Sequence, residues 1–354
     1  MSKVISVATE DAPTVVGQNE VKEFARNVFS GGRANFDRLA GVFTNASIES
    51  RHFTEPKEWY GEDHGFAERN ALYIENAVRM SAVCAQACLA AAGVGSKEFQ
   101  QIIFVSSTGI STPSVDARLH NILGFDQHVR RTPLWGIGCA GGAVGLSRAL
   151  EYTSAFPSHA VLVVAIELCG LTFQKDDYSK SNIIGTSLFS DGAAAVLVVG
   201  DEHPLARRKG LRLLNSLSTI YDDSLAVMGW DVKDSGLKVI FSKDIPTIVH
   251  ESVRENIQEL AEHNNVSLRQ IEHFVVHPGG PKVIDAYEEA LDLRKNEMRF
   301  TRSVLRKHGN MSSPTVLYVL KEFMDRGEFR PGEYGLISAL GPGFSSELIL
   351  FRTE

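Results

Sequence analysis

The chain repeats itself once, and this repeat limits the architectures open to it more than any other feature. Residues 80–109 (MSAVCAQACLAAAGVGSKEFQQIIFVSSTG) read as a helix, a short turn and a strand ending in small polar residues. Residues 247–280 (TIVHESVRENIQELAEHNNVSLRQIEHFVVHPGG) follow the same plan, with Phe104 corresponding to Phe274. At a nearly constant offset of about 171, GCAGGAVGLSRALEY (138–152) falls against GNMSSPTVLYVLKEF (309–323), so that Gly138 matches Gly309 and Cys139 matches Asn310. Paired apolar strands complete each copy: HAVLVVAIE (159–167) with DGAAAVLVVG (191–200), and EYGLISALGPG (333–343) with SSELILF (345–351). Strands alternating with helices build sheets covered on both faces, and near-continuous runs such as AVLVVAI belong to strands buried on both sides. Two such units stack as five layers, α-β-α-β-α, with the inner helices shared. The expected fold is therefore α/β and five-layered, built from two duplicated halves. The polar, proline-containing segment DEHPLARRKG (201–210) divides it into residues 1–205 and 206–354. The heads of the inner helices, where Cys139 and Asn310 are expected, then meet near the middle of the molecule.

The segment GIGCAGG (136–142) supports two chemistries. Gly136, Gly138 and Gly141 spell G-x-G-x-x-G, the turn that brings a dinucleotide's pyrophosphate to a helix N-terminus, and Glu167 ends the next strand as the required acid. The strand that should lead into the first glycine is missing, because VRRTPLW (129–135) carries two arginines and a proline that a central parallel strand tolerates poorly. Read through its middle, the segment is a cysteine held among glycines at the head of a helix. A free thiol has a pKa near 8.5, and lowering it by two units takes about 2.7 kcal/mol of selective thiolate stabilisation. A helix N-terminus supplies at best about 2 kcal/mol, so Cys139 needs a cationic neighbour from the other half. His277 is the candidate: it ends the strand IEHFVVH and is followed by Pro-Gly-Gly, which stops the strand and projects the imidazole from its carboxyl end. Asn310, in HGNMSS, reads by itself as a helix cap, and its match to Cys139 across the repeat moves it to the site.

The net charge of −7, with no cluster of Lys and Arg interleaved with aromatics, speaks against a nucleic-acid partner. The N-terminal residues MSKVISVATEDAP lack the apolar core of a signal peptide, and no stretch reaches the length of a membrane span, so a cytoplasmic protein is expected. Four cysteines fit a reducing compartment, and Cys84 with Cys88, four apart on one helix, read as small buried side chains rather than a metal pair.

Taken together and in order, GIGCAGGAVG, LFSDGAAA, HPGGPKVIDAYEEAL, RKHGNMSSPTVL and GPGFSSE resemble the type III polyketide synthases, the chalcone/stilbene-synthase-like branch of the thiolase superfamily. Within it, the likeness is to bacterial alkylpyrone synthases. The resemblance runs over nearly the whole chain. It implies Cys139 as nucleophile, His277 and Asn310 as the other members of a triad, and Phe189 of LFSDGAAA as a gatekeeping aromatic. It also implies a homodimer that uses acyl-CoA and malonyl-CoA as substrates, with no metal and no cofactor. The positions lining the family's starter and cyclisation cavity fall on Thr108, Thr112, Cys169, Leu171, Thr172 and Pro342. Thr112 stands where plant members carry a larger methionine and Cys169 replaces a threonine, which favours fatty acyl starters and alkylpyrone or alkylresorcinol products. Of the basic residues that grip coenzyme A in plant relatives, Arg38 is present, whereas the next two positions are Gly41 and Asn45. Two rivals share parts of this pattern. A ketoacyl synthase of the initiating kind has the same triad but performs one condensation. A papain-like thiol hydrolase or thioesterase has the same order of Cys, His and Asn, but is expected with its cysteine near the N-terminus and with disulfides.

Overall fold

In the computed structural model, which describes residues 2–242, 245–294 and 296–354, both halves take the helix-and-strand plan of the repeat. The first half begins with β1 (Ser2–Asp11). A small N-terminal layer follows: β2 (Thr14–Gly17), α1 (Gln18–Val28), α2 (Arg33–Leu39), α3 (Gly41–Asn45) and β3 (Ser50–Phe53). The half then continues through α4 (Phe66–Ala92), β4 (Gln101–Val105), α5 (Val115–Leu123), β5 (Arg130–Leu134), α6 (Gly141–Ala155), β6 (Ala160–Leu168), α7 (Lys180–Leu188) and β7 (Asp191–Gly200). The second half comprises β8 (Leu211–Ile220), the hairpin of β9 (Met228–Lys233) and β10 (Gly236–Phe241), and α8 (Ile245–His263). It ends with β11 (Ile271–Val276), α9 (Pro281–Leu291), α10 (Arg299–His308), α11 (Thr315–Arg326), β12 (Tyr334–Gly341) and β13 (Ser345–Thr353).

The strand orders reveal the duplication. The first half reads β5-β4-β6-β7-β1 and the second β11-β12-β13-β8, so β1, β4, β6 and β7 correspond to β8, β11, β12 and β13. The half-sheets are not separate. β1 and β8 pair antiparallel over Ser2↔Leu213, Lys3↔Arg212 and Val4↔Leu211 and make one sheet of the two. The VRRTPLW segment does form a strand, β5, but on the edge, hydrogen-bonded to β4 alone, which is where Pro133 and two arginines can be accommodated.

Alternation along each strand sorts the core into layers. Ile103, Val105, Val161, Val163, Val196 and Val198 point one way and meet Ile337, Ala339, Ile349 and Phe351 of the second half across α6 and α11. Their neighbours Ile102, Phe104, Leu162, Val164 and Leu197 point outward to α4 and α5, while Phe274, Val276, Leu336, Leu348 and Leu350 point outward to α8 and α9. The result is α-β-α-β-α, with α6 and α11 as the shared middle layer, each touching strands of both halves.

The middle helices come close because α6 begins with glycines. A Cβ on Gly142 would stand 2.3 Å from the backbone oxygen of Ser313 and 2.8 Å from Val316. One registration differs from the repeat-based expectation: Cys139 lies two residues ahead of α6, but Asn310 lies five ahead of α11. The second copy inserts a turn, with Ser312 at φ 58° and Pro314 at the helix cap. Asn310 is thus not at a helix head but in a strand-like segment before it.

Gly142→Val should therefore destabilise the protein by roughly 1–3 kcal/mol through overpacking at the middle layer. Gly17→Ala, whose added methyl meets nothing within 4 Å, should change stability by less than about 0.5 kcal/mol. Denaturant titrations of the two variants check this.

Candidate active site

Cys139 sits in a single 3₁₀ turn, Gly138–Ala140, that runs into α6. Gly138 has φ +50°, and a Cβ there would stand 2.7 Å from Cδ of Pro342, so glycine is what lets the second half close over the cysteine. The amides of Gly136 and Gly138 both donate to Ser107 Oγ, at 3.2 and 3.1 Å. Gly141 packs against Val105 and Ser313. The backbone groups a pyrophosphate would need are thus engaged or covered by protein, and the glycines serve the cysteine.

His277 follows the last residue of β11, and its N–H donates to the Ser338 carbonyl of β12 at 2.8 Å. Asn310 is pinned from both sides: its N–H donates to the Leu188 carbonyl and its own carbonyl accepts from the Ser190 N–H, both at 2.9 Å, so it pairs with Phe189 in a parallel bridge. Its side chain is fixed as well. Nδ2 donates to the Gly279 carbonyl at 3.2 Å, in the turn after His277, and Oδ1 accepts from the Ser312 N–H at 2.8 Å.

These elements bring Cys139, His277 and Asn310 to one enclosed cavity, walled by Met228, Phe241, Ile245, Val283 and Leu340. The three are 6 %, 4 % and 0 % exposed. Burial pushes the Cys139 thiol up to about 11, opposed by hydrogen bonds from the Ser312 and Asn310 side chains. Burial pushes the His277 imidazole down to about 3. Among the described residues, neither ring nitrogen of His277 has a hydrogen-bond partner. Each group by itself resists charge in this cavity. The charged form that keeps the cavity neutral is the one in which the sulfur's proton passes to the imidazole.

Beneath the cysteine, Glu167 is fully buried and accepts from the Ser107 N–H at 2.9 Å, Thr108 Oγ1 at 2.8 Å and Ser313 Oγ at 2.9 Å. Burial raises its carboxyl to about 7. Read from the sequence, Glu167 was weighed only as a ribose-binding acid; in the fold it ties the two halves together.

From Cys139 the cavity passes Cys169, Phe189, Trp230, Val239 and Pro342. On the far side of Cys169 and Phe189 lies a mostly apolar chamber of about 70 Å³ lined by Val16, Val21, Phe24, Phe53, Thr172 and Phe173. Of the pocket positions expected from sequence, Phe189, Cys169, Thr172 and Pro342 line these spaces. The others lie elsewhere. Thr108 is buried on Glu167 and on the Leu168 N–H. Leu171 packs into the outer core with α4. Thr112 is exposed on the loop before α5, because that loop leaves the carboxyl end of β4 for the surface. Arg38 is exposed on α2, where it bonds Asn35 at 2.8 Å.

Most of the other lining residues carry little signal of the site in the sequence, Phe241 and Ser312 among them. Phe241, at the end of β10, meets Phe189 edge to face at 6.3 Å, and nothing in the alternating hairpin GLKVIF distinguishes it from a packing residue. Ser312, which bonds the cysteine, lies two residues after Asn310 in GNMSSP, and that proximity was its one available signal.

The five-layered fold with a cysteine, a histidine and an amide in one buried cavity defines the class of thiolase-fold acyltransferases. The comparisons are narrower. The family description for the N-terminal domain of chalcone and stilbene synthases matches residues 54–202, and that for the C-terminal domain matches residues 212–353. A protein of Bacillus subtilis (strain 168), provisionally named a chalcone synthase, is 45 % identical over 100 % of this chain and 99 % of its own length. The 1,3,6,8-tetrahydroxynaphthalene synthase of Streptomyces peucetius subsp. caesius is 31 % identical over 99 % of this chain and 93 % of its own. The solved structure of the tetrahydroxynaphthalene synthase of Streptomyces coelicolor A3(2), a bacterial type III polyketide synthase, superposes with a TM-score of 0.94 over 99 % of both chains at 28 % identity. The chain belongs to the chalcone and stilbene synthase family, the type III polyketide synthases.

If His277 is the base that takes the Cys139 proton, His277→Gln leaves the thiol at its raised pKa. A thiol with pKa about 11 is ionised to roughly one part in ten thousand at pH 7. Alkylation of Cys139 in His277→Gln at pH 7 should be at least about 100-fold slower than in the wild type. It should recover as the pH is raised toward 11. Iodoacetamide labelling across pH, read by peptide mass, measures this.

Proposed function

We propose that the protein loads an acyl group from an acyl-CoA onto Cys139 and extends it with several malonyl-CoA units by decarboxylative Claisen condensation, then releases a cyclised product. The observation that carries this reading is the convergence of Cys139, His277 and Asn310 on one cavity, with an apolar chamber on the far side of Cys169 and Phe189.

In the loading step, His277 takes the Cys139 proton, the sulfur attacks the thioester carbonyl, the C–S bond to coenzyme A breaks as the new one to Cys139 forms, and the departing coenzyme A thiolate takes the proton back from His277 and leaves as the free thiol. Malonyl-CoA then loses carbon dioxide and leaves an enolate whose oxygen needs donors. The unpartnered His277 ring N–H and the second hydrogen of the Asn310 amide are suited to this, one Asn310 hydrogen being held by Gly279. Removing one such donor typically costs about 3 kcal/mol, on the order of 100-fold in rate. The enolate carbon attacks the acyl thioester on Cys139, a carbon–carbon bond forms, the chain grows by two carbons, and the thiolate is freed for the next round. These steps call for no resident metal or cofactor.

The apolar wall beyond Cys169 and Phe189 favours a fatty acyl starter, and an alkylpyrone or alkylresorcinol as product. The halves meeting near residues 205 and 206 act as one catalytic unit, in the cytoplasm, where the four free thiols stay reduced. No helix among the described residues is long and apolar enough to cross a membrane. A homodimer is proposed as well: Ile110 and Trp135, 46 % and 51 % exposed beside Thr112, are apolar surface that a second copy would cover.

Incubation with acyl-CoAs of graded length and labelled malonyl-CoA tests the reading. More than one malonyl unit consumed per starter is expected; one unit would indicate a ketoacyl synthase, and starter hydrolysis without extension a thioesterase. Cys139→Ala should extend nothing. Cys169→Phe, which fills the passage to the chamber, should lower kcat/KM for long starters relative to short ones by roughly tenfold or more, the scale of one blocked apolar subsite.

A further inference from the structure

We infer that Asp11, His52 and His308 form a binding site for one divalent transition-metal ion of the zinc type, separate from the catalytic cavity. The ligand-capable atoms of these three side chains all lie within 4.8 Å of one another. They come from three elements: the end of β1, the middle of β3 and the last residue of α10. None of them lines the cavity of Cys139.

A carboxylate oxygen with two imidazole nitrogens is the donor set of zinc, cobalt(II) or nickel(II) rather than of magnesium or calcium. The distances suit such an ion. Zinc–nitrogen bonds of about 2.0–2.1 Å at tetrahedral angles put neighbouring ligand atoms about 3.3 Å apart, and His308 Nδ1 stands 3.0 Å from Asp11 Oδ1. The widest pair needs to close by about 1.5 Å for that geometry, a movement side-chain rotation supplies.

The surroundings orient the ligands in the way metal sites require. His52 Nδ1 faces the Ala12 carbonyl at 3.3 Å, and donating to it would leave the Nε2 lone pair for the ion. The Tyr318 hydroxyl reaches Asp11 Oδ1 at 3.1 Å and the Glu10 carbonyl at 2.8 Å. The two imidazoles stack at 5.4 Å with 24° between their planes, which holds the rings close together. The backbone behind them is fixed: the His52 N–H donates to Ser190 Oγ, which itself donates to the His52 carbonyl, both at 2.9 Å. Asp11 pairs with Gly192 across β1 and β7. The Asp11 and His308 side chains are 40 % and 21 % exposed, which leaves a path for the ion.

Titration of the metal-free full-length protein with cobalt(II) tests this, because visible absorption reports coordination and a thiolate ligand would add a charge-transfer band in the near ultraviolet. One cobalt per chain is expected, without the thiolate band and unchanged in Cys139→Ala. Binding should disappear in His52→Ala and in His308→Ala. Asp11→Asn keeps the shape and most hydrogen bonds of an exposed side chain and so remains folded; it should weaken binding at least about tenfold. An absence of cobalt binding, a thiolate band lost in Cys139→Ala, or wild-type affinity in Asp11→Asn would each overturn the site and leave only a surface ion pair.

Discussion

The structure depends on two helices being buried side by side between two half-sheets. Each of α6 and α11 must shed solvent on every face, so their contact is set by the smallest side chains at the crossing, with Gly142 against the Ser313 backbone. Everything catalytic hangs on that approach. It brings the segment ahead of α6, with Cys139, against the segment ahead of α11, with Asn310 and Ser312, and it allows Ser313 of one half to reach Glu167 of the other at 2.9 Å. A methyl group in the wrong place there would part the halves before it disturbed any reacting atom.

The same burial governs the chemistry. A sulfur and an imidazole that are each held neutral by desolvation make a poor pair of separate ions and a good proton-transfer couple, since moving the proton between them leaves the net charge of the cavity unchanged. Donors around the sulfur, from Ser312 and Asn310, then favour the anion. An enolate formed in so buried a site would be shielded from protonation by bulk solvent.

Much of this was legible in the sequence. The repeat exposes the five layers, because a buried strand and its covering helix leave strong periodic signals, and its constant offset aligns Cys139 with Asn310. His277 was found by its strand end and the Pro-Gly-Gly that follows. What stayed hidden was set by turns and by long-range packing. The inserted turn that takes Asn310 off the helix head rests on the positive φ of Ser312, which serine does not advertise. The family resemblance implies Thr112, Thr108 and Leu171 in the cavity, yet their side chains go to the surface, to Glu167 and to the outer core, because a loop's direction on leaving a sheet is not written in its composition. The joining of β1 to β8, three residue pairs long, carries no sequence pattern of its own.

In the proposed mechanism one sulfur among four is the acyl acceptor. Brief exposure of the wild-type protein to a fatty acyl-CoA without malonyl-CoA, followed by digestion and mass mapping of all four cysteine peptides, tests this. A single acyl thioester is expected on the peptide holding Cys139, with Cys84, Cys88 and Cys169 unmodified. An acyl group on Cys169, or none on any cysteine while the starter is still extended when malonyl-CoA is added, would contradict it.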